Sequence, residues 1–202
     1  SALIRGIREG THPKRMTSKT GRMTDLNLEL YRRLLLIRRA EELIIEHYAE
    51  SEMKTPTHMS MGAEAIAVGV TQAIGPAGQV LASYRSHAVY IAKTNETDHF
   101  FAELYGRVTG TAKGKAGSMH LANPAKGHLG SSAVVGTPIP VAVGAAFAEK
   151  QRNTGNVVAV FFGEGAMDEG VFWESLNAAC VMKLPVIFVC EDNGLAVHTR
   201  PN

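Results

Sequence analysis

The chain has 202 residues, of which 45% are hydrophobic and 20% charged, and its formal net charge is +2 at pH 7. This composition predicts a globular protein with one sizeable core, and the near-neutral charge argues against a nucleic-acid or membrane-surface partner. We expect neither a transmembrane span nor a signal peptide, because no apolar run is long enough for either. Cys180 and Cys190 lie in apolar stretches, which predicts buried thiols in a reducing compartment.

The N-terminal residues 1–23 show no clear periodicity and carry a basic cluster, which predicts an arm. A first helix is expected to begin near Thr24–Asp25, because both residues are good N-caps, and residues 24–202 are expected to form one domain. Further helices are predicted at 62–74, 97–106 and 140–150, a strand at 79–82, and a glycine-dense loop from Gly106 to Gly136.

The clearest secondary-structure pattern lies near the end of the sequence. The run 156–162 is apolar, β-branched and aromatic, as is typical of a strand buried on both faces. A tight turn at 163–165, a helix at 170–182 and a second strand at 185–190 follow it. This strand–turn–helix–strand order predicts an α/β fold, a parallel sheet with a right-handed crossover and helices on both faces.

Polar residues follow both of these strands. Glu164 comes after the first strand, and Asn193 and Leu195 come after the second. Neighbouring parallel strands lie about 4.8 Å apart and ligands bind beyond their carboxyl ends, so these residues can converge on one ion. A carboxylate, an amide oxygen and a main-chain carbonyl suit Mg²⁺ or Ca²⁺ better than Zn²⁺.

The glycines on either side of Glu164 add an anion site to the same turn, because they let backbone N–H groups approach a phosphate. A metal–diphosphate complex is the simplest ligand that satisfies both features. A bare nucleotide-binding module would explain the Gly-x-Gly turn about as well, and this alternative stays open on these features alone.

Read together, the stretches 163–166 and 184–194 resemble the fingerprint of thiamine-diphosphate enzymes, in which Gly-Asp-Gly precedes Asn at the spacing of Glu164 and Asn193. From about residue 24 onward the chain is similar to the alpha subunits of 2-oxo acid dehydrogenase E1 components, which act on pyruvate, branched-chain 2-oxo acids or acetoin. Glu164 stands where the family usually has Asp, which keeps the carboxylate. Leu195 replaces a Tyr whose main-chain carbonyl is the group used.

The resemblance implies a role for individual residues. The implied cofactor contacts are Tyr84, Arg85, Ala133, Val135, Glu164, Gly165, Ala166 and Asn193. The implied metal ligands are Glu164, Asn193 and the carbonyl of Leu195, and the implied catalytic residues are His58 and His87. Arg85 is a fitting partner for a phosphate oxygen, because its planar guanidinium donates in pairs.

The resemblance also implies an activity: decarboxylation of a 2-oxo acid with thiamine diphosphate and Mg²⁺, followed by acyl transfer to the lipoyl domain of E2. An E1 beta subunit would complete the site in a heterotetramer of two alpha and two beta subunits. The implied compartment is the bacterial cytoplasm or the mitochondrial matrix. The fold would be incomplete at its C-terminus, because family members continue past the Asn193 strand.

Two other functions remain compatible with the sequence. A transketolase-like enzyme or a non-oxidative decarboxylase would share the metal and diphosphate residues but would not need lipoyl-E2. A non-catalytic module of similar fold would bind a nucleotide or a partner, and Glu164 in place of Asp gives that alternative some weight.

Overall fold

The computed structural model describes residues 19–196, with side chains from Asp25 onward. In chain order the elements are α1 Lys19–Tyr48, α2 Glu64–Ile74, β1 Gln79–Ser83, α3 His87–Thr94, α4 Asp98–Leu104, β2 His128–Ser132, α5 Pro138–Arg152, β3 Val158–Gly163, α6 Gly170–Val181 and β4 Val186–Glu191. Short 3-10 helices span Pro124–Lys126 and Glu164–Asp168. No helix in this described part is long and apolar enough to cross a bilayer.

The chain divides into two compact units, residues 1–32 and residues 33–202. Of the first unit, the structure describes the beginning of α1. This helix begins at Lys19, upstream of the predicted start at Thr24–Asp25. The N-cap residues Thr24 and Asp25 therefore do not mark the start, and residues 19–23 contain no proline that would end the helix there. The rest of the predicted arm, residues 1–18, lies outside the described residues.

The second unit contains a four-stranded sheet in the order β2-β1-β3-β4, and every pair is parallel. The predicted parallel unit of β3, α6 and β4 is confirmed. The register places Gly163 beside Glu191 and Ala82 beside Phe161, so the strands end at one common edge. That edge is where ligands bind in sheets of this type.

Helices cover both faces of the sheet. Alternate β3 residues Val158, Val160 and Phe162 pack in one apolar cluster with Ile139 of α5 and Phe172 of α6. The intervening β3 residues are equally buried, and α2 and α3 contact the sheet through β3 and β1. Burial of each large apolar side chain stabilises the folded state by about 1.5–3 kcal/mol. Because its residues are buried on both faces of the sheet, β3 forms the centre of the core.

The sequence did not predict two of the elements, β2 and α3. The strand β2 reads His-Leu-Gly-Ser-Ser and has no apolar pattern, because its place at the sheet edge depends on backbone hydrogen bonds to β1. The helix α3 is almost wholly buried, so it lacks the amphipathic period that marks a surface helix. Both lie where tertiary contacts outweigh local pattern.

The prediction for the cysteines was wrong. Cys180 and Cys190 are both exposed in this chain. Cys180 lies on the outward side of α6, and Cys190 lies on β4, where every residue remains at least partly accessible. An apolar neighbourhood in sequence therefore did not translate into burial, because β4 is the last strand of the described sheet.

His128 is fully buried in the core, and neither ring nitrogen has a hydrogen-bond partner within residues 19–196. Its ring packs edge-on against Tyr90, with centroids 5.4 Å apart. Burial lowers the pKa of His128 to about 4, because the charged imidazolium would lose its solvation. The folded protein therefore holds a neutral imidazole.

This burial predicts an acid-sensitive core. The unfolded chain binds a proton at His128 below pH 6.5 and the folded chain does so only near pH 4, so stability falls as the pH drops through this window. Relative to His128→Phe, the wild-type protein should lose about 2 kcal/mol more between pH 7 and pH 5. Urea denaturation at the two pH values measures this, and parallel losses in both proteins would contradict it.

Candidate functional site

A cavity of about 910 Å³ opens at the carboxyl edge of the sheet. Three of the four strands, β1, β3 and β4, reach the cavity with their last residues, Ser83, Gly163 and Glu191. Most of the residues that the sequence singled out line this cavity: His58, Tyr84, Arg85, Val135, Glu164, Gly165, Ala166, Asn193 and Leu195. The topology therefore brings together residues that are far apart in sequence.

Glu164 and Asn193 meet at a single backbone amide. The N–H of Leu195 donates to Oε1 of Glu164 at 2.8 Å and to Oδ1 of Asn193 at 3.0 Å. The two loops therefore lie against each other, as the adjacent strand ends predicted. One side-chain oxygen from the turn after β3 and one from the loop after β4 therefore lie close to each other.

Gly165 makes this close approach possible. A Cβ atom at Gly165 would lie 2.9 Å from the Cβ of Ala196, which is closer than real Cβ atoms come. The turn after β3 and the loop after β4 are therefore in contact at a point where only hydrogen fits. The neighbouring Gly163 has open space around it, so steric need is specific to position 165.

Arg85 is fixed by backbone groups of the segment before α2. Its Nη1 donates a hydrogen bond to the carbonyl of Met59, and its own carbonyl accepts from the Ser60 hydroxyl at 3.4 Å. Both Met59 and Ser60 also line the cavity. The guanidinium is consequently the cation that this wall offers to an anionic ligand.

Glu191 is a cavity residue to which sequence analysis gave no role. It ends β4 opposite Gly163, and burial raises its pKa to about 7, with Arg85 acting in the opposite direction. Its carboxyl group can therefore hold a proton near neutral pH. The signal available in the sequence was its position, since the last residue of a parallel strand faces the ligand edge.

His58 lies beside Tyr84, with ring centroids 4.5 Å apart and planes tilted by 59°. Burial lowers the pKa of His58, and the electrostatic interactions of His58 with Arg85 and with His87 act in the same direction. Its Nδ1 is buried and has no partner within the described residues. His58 is therefore a neutral imidazole at the cavity wall, able to donate or accept one hydrogen bond there.

His87 does not fit the predicted catalytic role. Its side chain is 0% exposed, and it is not among the residues that line the cavity. Its ring nitrogens contact Glu41 and Ser118, both of which are also buried. A group enclosed in this way cannot exchange a proton with a substrate directly. The sequence placed it correctly near the site but could not reveal its burial.

The structure also separates Ala133 from Val135. Val135 lines the cavity and is half exposed, whereas Ala133 does not line it. The turn between β2 and α5 carries both residues, and it is held by the Ser132 hydroxyl, which accepts from the N–H of Val134. The predicted cofactor contact of Ala133 is therefore not supported by the cavity lining, whereas that of Val135 is compatible with it.

The donor set at the strand ends differs from that of a transition-metal centre. Within residues 19–196, no group of three or more His, Cys, Asp or Glu side chains is arranged to hold a metal ion. Glu164 and Asn193 instead offer one carboxylate and one amide oxygen. Such hard oxygen donors, completed by a main-chain carbonyl, by water or by phosphate, fit Mg²⁺.

The contact at Gly165 gives a testable consequence. Gly165→Ala should push the 193–196 loop away from Glu164 and lengthen the hydrogen bond from Leu195, because the added methyl overlaps Ala196. Hydrogen–deuterium exchange of this loop should become faster. Gly170→Ala is the matched control, because its Cβ would meet nothing within 4 Å. Equal exchange in both variants would show that the two loops are not in contact.

Comparison with known proteins gives consistent matches. A family model described as "Dehydrogenase E1 component" matches residues 32–202. The alpha subunit of acetoin:2,6-dichlorophenolindophenol oxidoreductase from Bacillus subtilis is 41% identical over 172 residues, which cover 85% of this chain and 52% of that subunit. The alpha subunit of the pyruvate dehydrogenase E1 component from Zymomonas mobilis is 40% identical over 173 residues, which cover 85% and 49%. The chain spans about half the length of these curated relatives.

Proposed function

The chain belongs to the dehydrogenase E1 component family, and from this premise we propose that it binds thiamine diphosphate through Mg²⁺ at the carboxyl edge of its sheet. In this proposal it acts as the alpha subunit of an E1 that decarboxylates a 2-oxo acid and passes the acyl group to lipoyl-E2. The observation that carries the proposal is the meeting of Glu164 and Asn193 at the amide of Leu195, beside a cavity that contains Arg85.

The metal end of the proposed site uses oxygen donors. Glu164 and Asn193 would hold Mg²⁺ through their carboxylate and amide oxygens, and the main-chain carbonyl of Leu195 would join them. The Leu195 N–H already holds these two oxygens near each other, so little reorganisation would be needed. Replacement of the usual Asp by Glu164 keeps the charge that the cation requires.

The diphosphate end would use positive charge and backbone N–H groups. Arg85 provides a guanidinium whose direction is set by the carbonyl of Met59. Gly165 and Ala166 line the same cavity at the turn after β3, where their backbone can approach an anion closely. Arg85 and a divalent cation held by Glu164 and Asn193 would both offset the negative charge of the diphosphate.

When bound, thiamine diphosphate supplies the carbanion-stabilising chemistry for loss of carbon dioxide from the substrate. The chain's own contribution is binding and orientation. His58, held against Tyr84 and kept neutral by its surroundings, would hydrogen-bond the substrate at the cavity wall. A neutral imidazole does this without adding charge next to a substrate carboxylate.

The partners follow from the same proposal. An E1 beta subunit would complete the cofactor site in a heterotetramer of two alpha and two beta subunits, and the lipoyl domain of E2 would receive the acyl group. The expected compartment is the bacterial cytoplasm or the mitochondrial matrix.

The metal and cofactor assignments can be tested by calorimetry on the full-length assembly, with and without Mg²⁺. Glu164→Ala and Asn193→Ala should each weaken thiamine-diphosphate binding by more than about tenfold, because each removes a metal ligand. Met167→Ala should leave the affinity unchanged, since Met167 packs against the core and does not line the cavity. Equal losses in all three variants would indicate general destabilisation, and binding that ignores Mg²⁺ would refute the metal site.

One observation favours a second substrate class. The acetoin oxidoreductase subunit and the pyruvate dehydrogenase subunit match this chain almost equally well. Assays of the reconstituted alpha and beta chains with pyruvate, branched-chain 2-oxo acids and acetoin would show which of these substrates the enzyme uses. Activity that does not depend on a lipoyl acceptor would instead support a transketolase-like or non-oxidative enzyme.

A further inference from the structure

A buried chain of hydrogen bonds lies behind the cavity wall and is not used by the proposed function. Oε1 of Glu41 accepts the backbone N–H of Ser60 at 2.7 Å and lies 3.2 Å from Nδ1 of His87. Nε2 of His87 lies 2.7 Å from the hydroxyl oxygen of Ser118. The side chains of Glu41, His87 and Ser118 are each 0% exposed.

Donors and acceptors can be matched along this chain. A neutral imidazole that donates from Nδ1 to Glu41 accepts at Nε2 from the hydroxyl of Ser118. The order Ser–His–Glu is that of a nucleophile with its base. Complete burial excludes that chemistry, because no substrate reaches the Ser118 hydroxyl. The chain must therefore act on other parts of the protein.

Burying these groups is costly, since Oε2 of Glu41 has no hydrogen-bond partner within residues 19–196. Apolar residues of similar volume would fill the same space with less desolvation. In some proteins, buried polar groups of this kind specify one arrangement of the chain rather than add stability.

At one end, this chain of hydrogen bonds reaches the cavity wall that holds Arg85. Glu41 fixes the peptide N–H of Ser60, and the adjoining carbonyl of Met59 accepts from Nη1 of Arg85. The hydroxyl of Ser60 donates to the carbonyl of Arg85 and accepts the N–H of Ala88 at 3.4 Å. A shift of the 59–60 peptide would consequently move the guanidinium.

At the other end, the chain of hydrogen bonds reaches Ser118, which lies in the glycine-dense loop that begins at Gly106. Glu103 collects the backbone N–H groups of Ala112, Gly114, Ala116 and Gly117, and the N–H of Ser118 donates to the hydroxyl of Thr55. His87 therefore joins a loop of fixed shape to the carboxylate that holds the cavity wall.

We infer that Glu41, His87 and Ser118 are positioning residues that set the direction of Arg85 through the Met59–Ser60 peptide. The inference rests on the proposed function, in which Arg85 binds the diphosphate. His87, which the sequence placed among the catalytic residues, thereby acquires an indirect role. None of the three residues lines the cavity.

The test compares two substitutions of Glu41 in the full-length assembly. Glu41→Leu removes the acceptor for Ser60 and should raise the Kd for thiamine diphosphate about tenfold, while kcat at saturating cofactor stays near wild type. Glu41→Gln keeps an acceptor oxygen and should restore an affinity close to wild type. Ser118→Ala, a milder change at the far end, should raise the Kd about twofold to threefold.

Glu149 supplies the matched control. It is a buried carboxylate bonded to Gln79, Thr154 and Asn156, around the amino-terminal ends of β1 and β3 and away from the cavity. Glu149→Leu should lower the melting temperature as Glu41→Leu does, without changing the Kd. If both substitutions change the Kd equally, or if Glu41→Gln behaves like Glu41→Leu, the positioning role is overturned.

A measurement without cofactor separates this inference from the proposed function. Hydrogen–deuterium exchange of residues 58–62 should become faster in Glu41→Leu and remain as in wild type in Glu41→Gln and Glu149→Leu. Failure of the wild-type assembly to bind thiamine diphosphate, with this exchange pattern intact, would overturn the cofactor assignment alone. Unchanged exchange in Glu41→Leu would overturn the positioning chain, whatever the cofactor proves to be.

Discussion

The parallel pairing of β3 with β4 is the constraint on which the site depends. Its register sets Gly163 beside Glu191, so the chain leaves both strands at the same height and on the same edge. Glu164 and Asn193 then share the amide of Leu195 without a bridging element. A register slip of one residue would turn the side chains of one strand to the opposite face and separate these oxygens. The apolar residues of β3, buried on both faces, make such a slip costly.

The sequence was most informative where one local pattern had a single structural solution. The run from Val158 to Phe162 is too apolar for a surface element and too short for a helix, so it predicted a central strand. The placement of Glu164 and Asn193 followed from the strand ends alone. Their proposed roles needed the resemblance to E1 alpha subunits, because a carboxylate and an amide after two strands also suit other ligands.

The remaining features depend on contacts that no short window of sequence contains. His87 stands close in sequence to Arg85 but is enclosed by Glu41 and Ser118, which come from distant segments. Glu191 gains its environment from burial and from Arg85. The strand β2 owes its extended form to β1, and Cys180 owes its exposure to the orientation of α6. Sequence analysis finds the candidate residues, whereas packing decides which of them face the cavity.

The contacts of the Glu103 carboxylate indicate which positions of the glycine-dense loop can be substituted. Its two oxygens accept from main-chain amides of the loop, so these four contacts do not depend on the side chains that the loop carries. Exposed positions such as Lys115 can therefore diverge while the path is retained. Gly114 cannot, because a Cβ there would lie 2.3 Å from the backbone of Gly106. Among related chains, Glu103 and Gly114 should be retained, while exposed side chains of this segment vary.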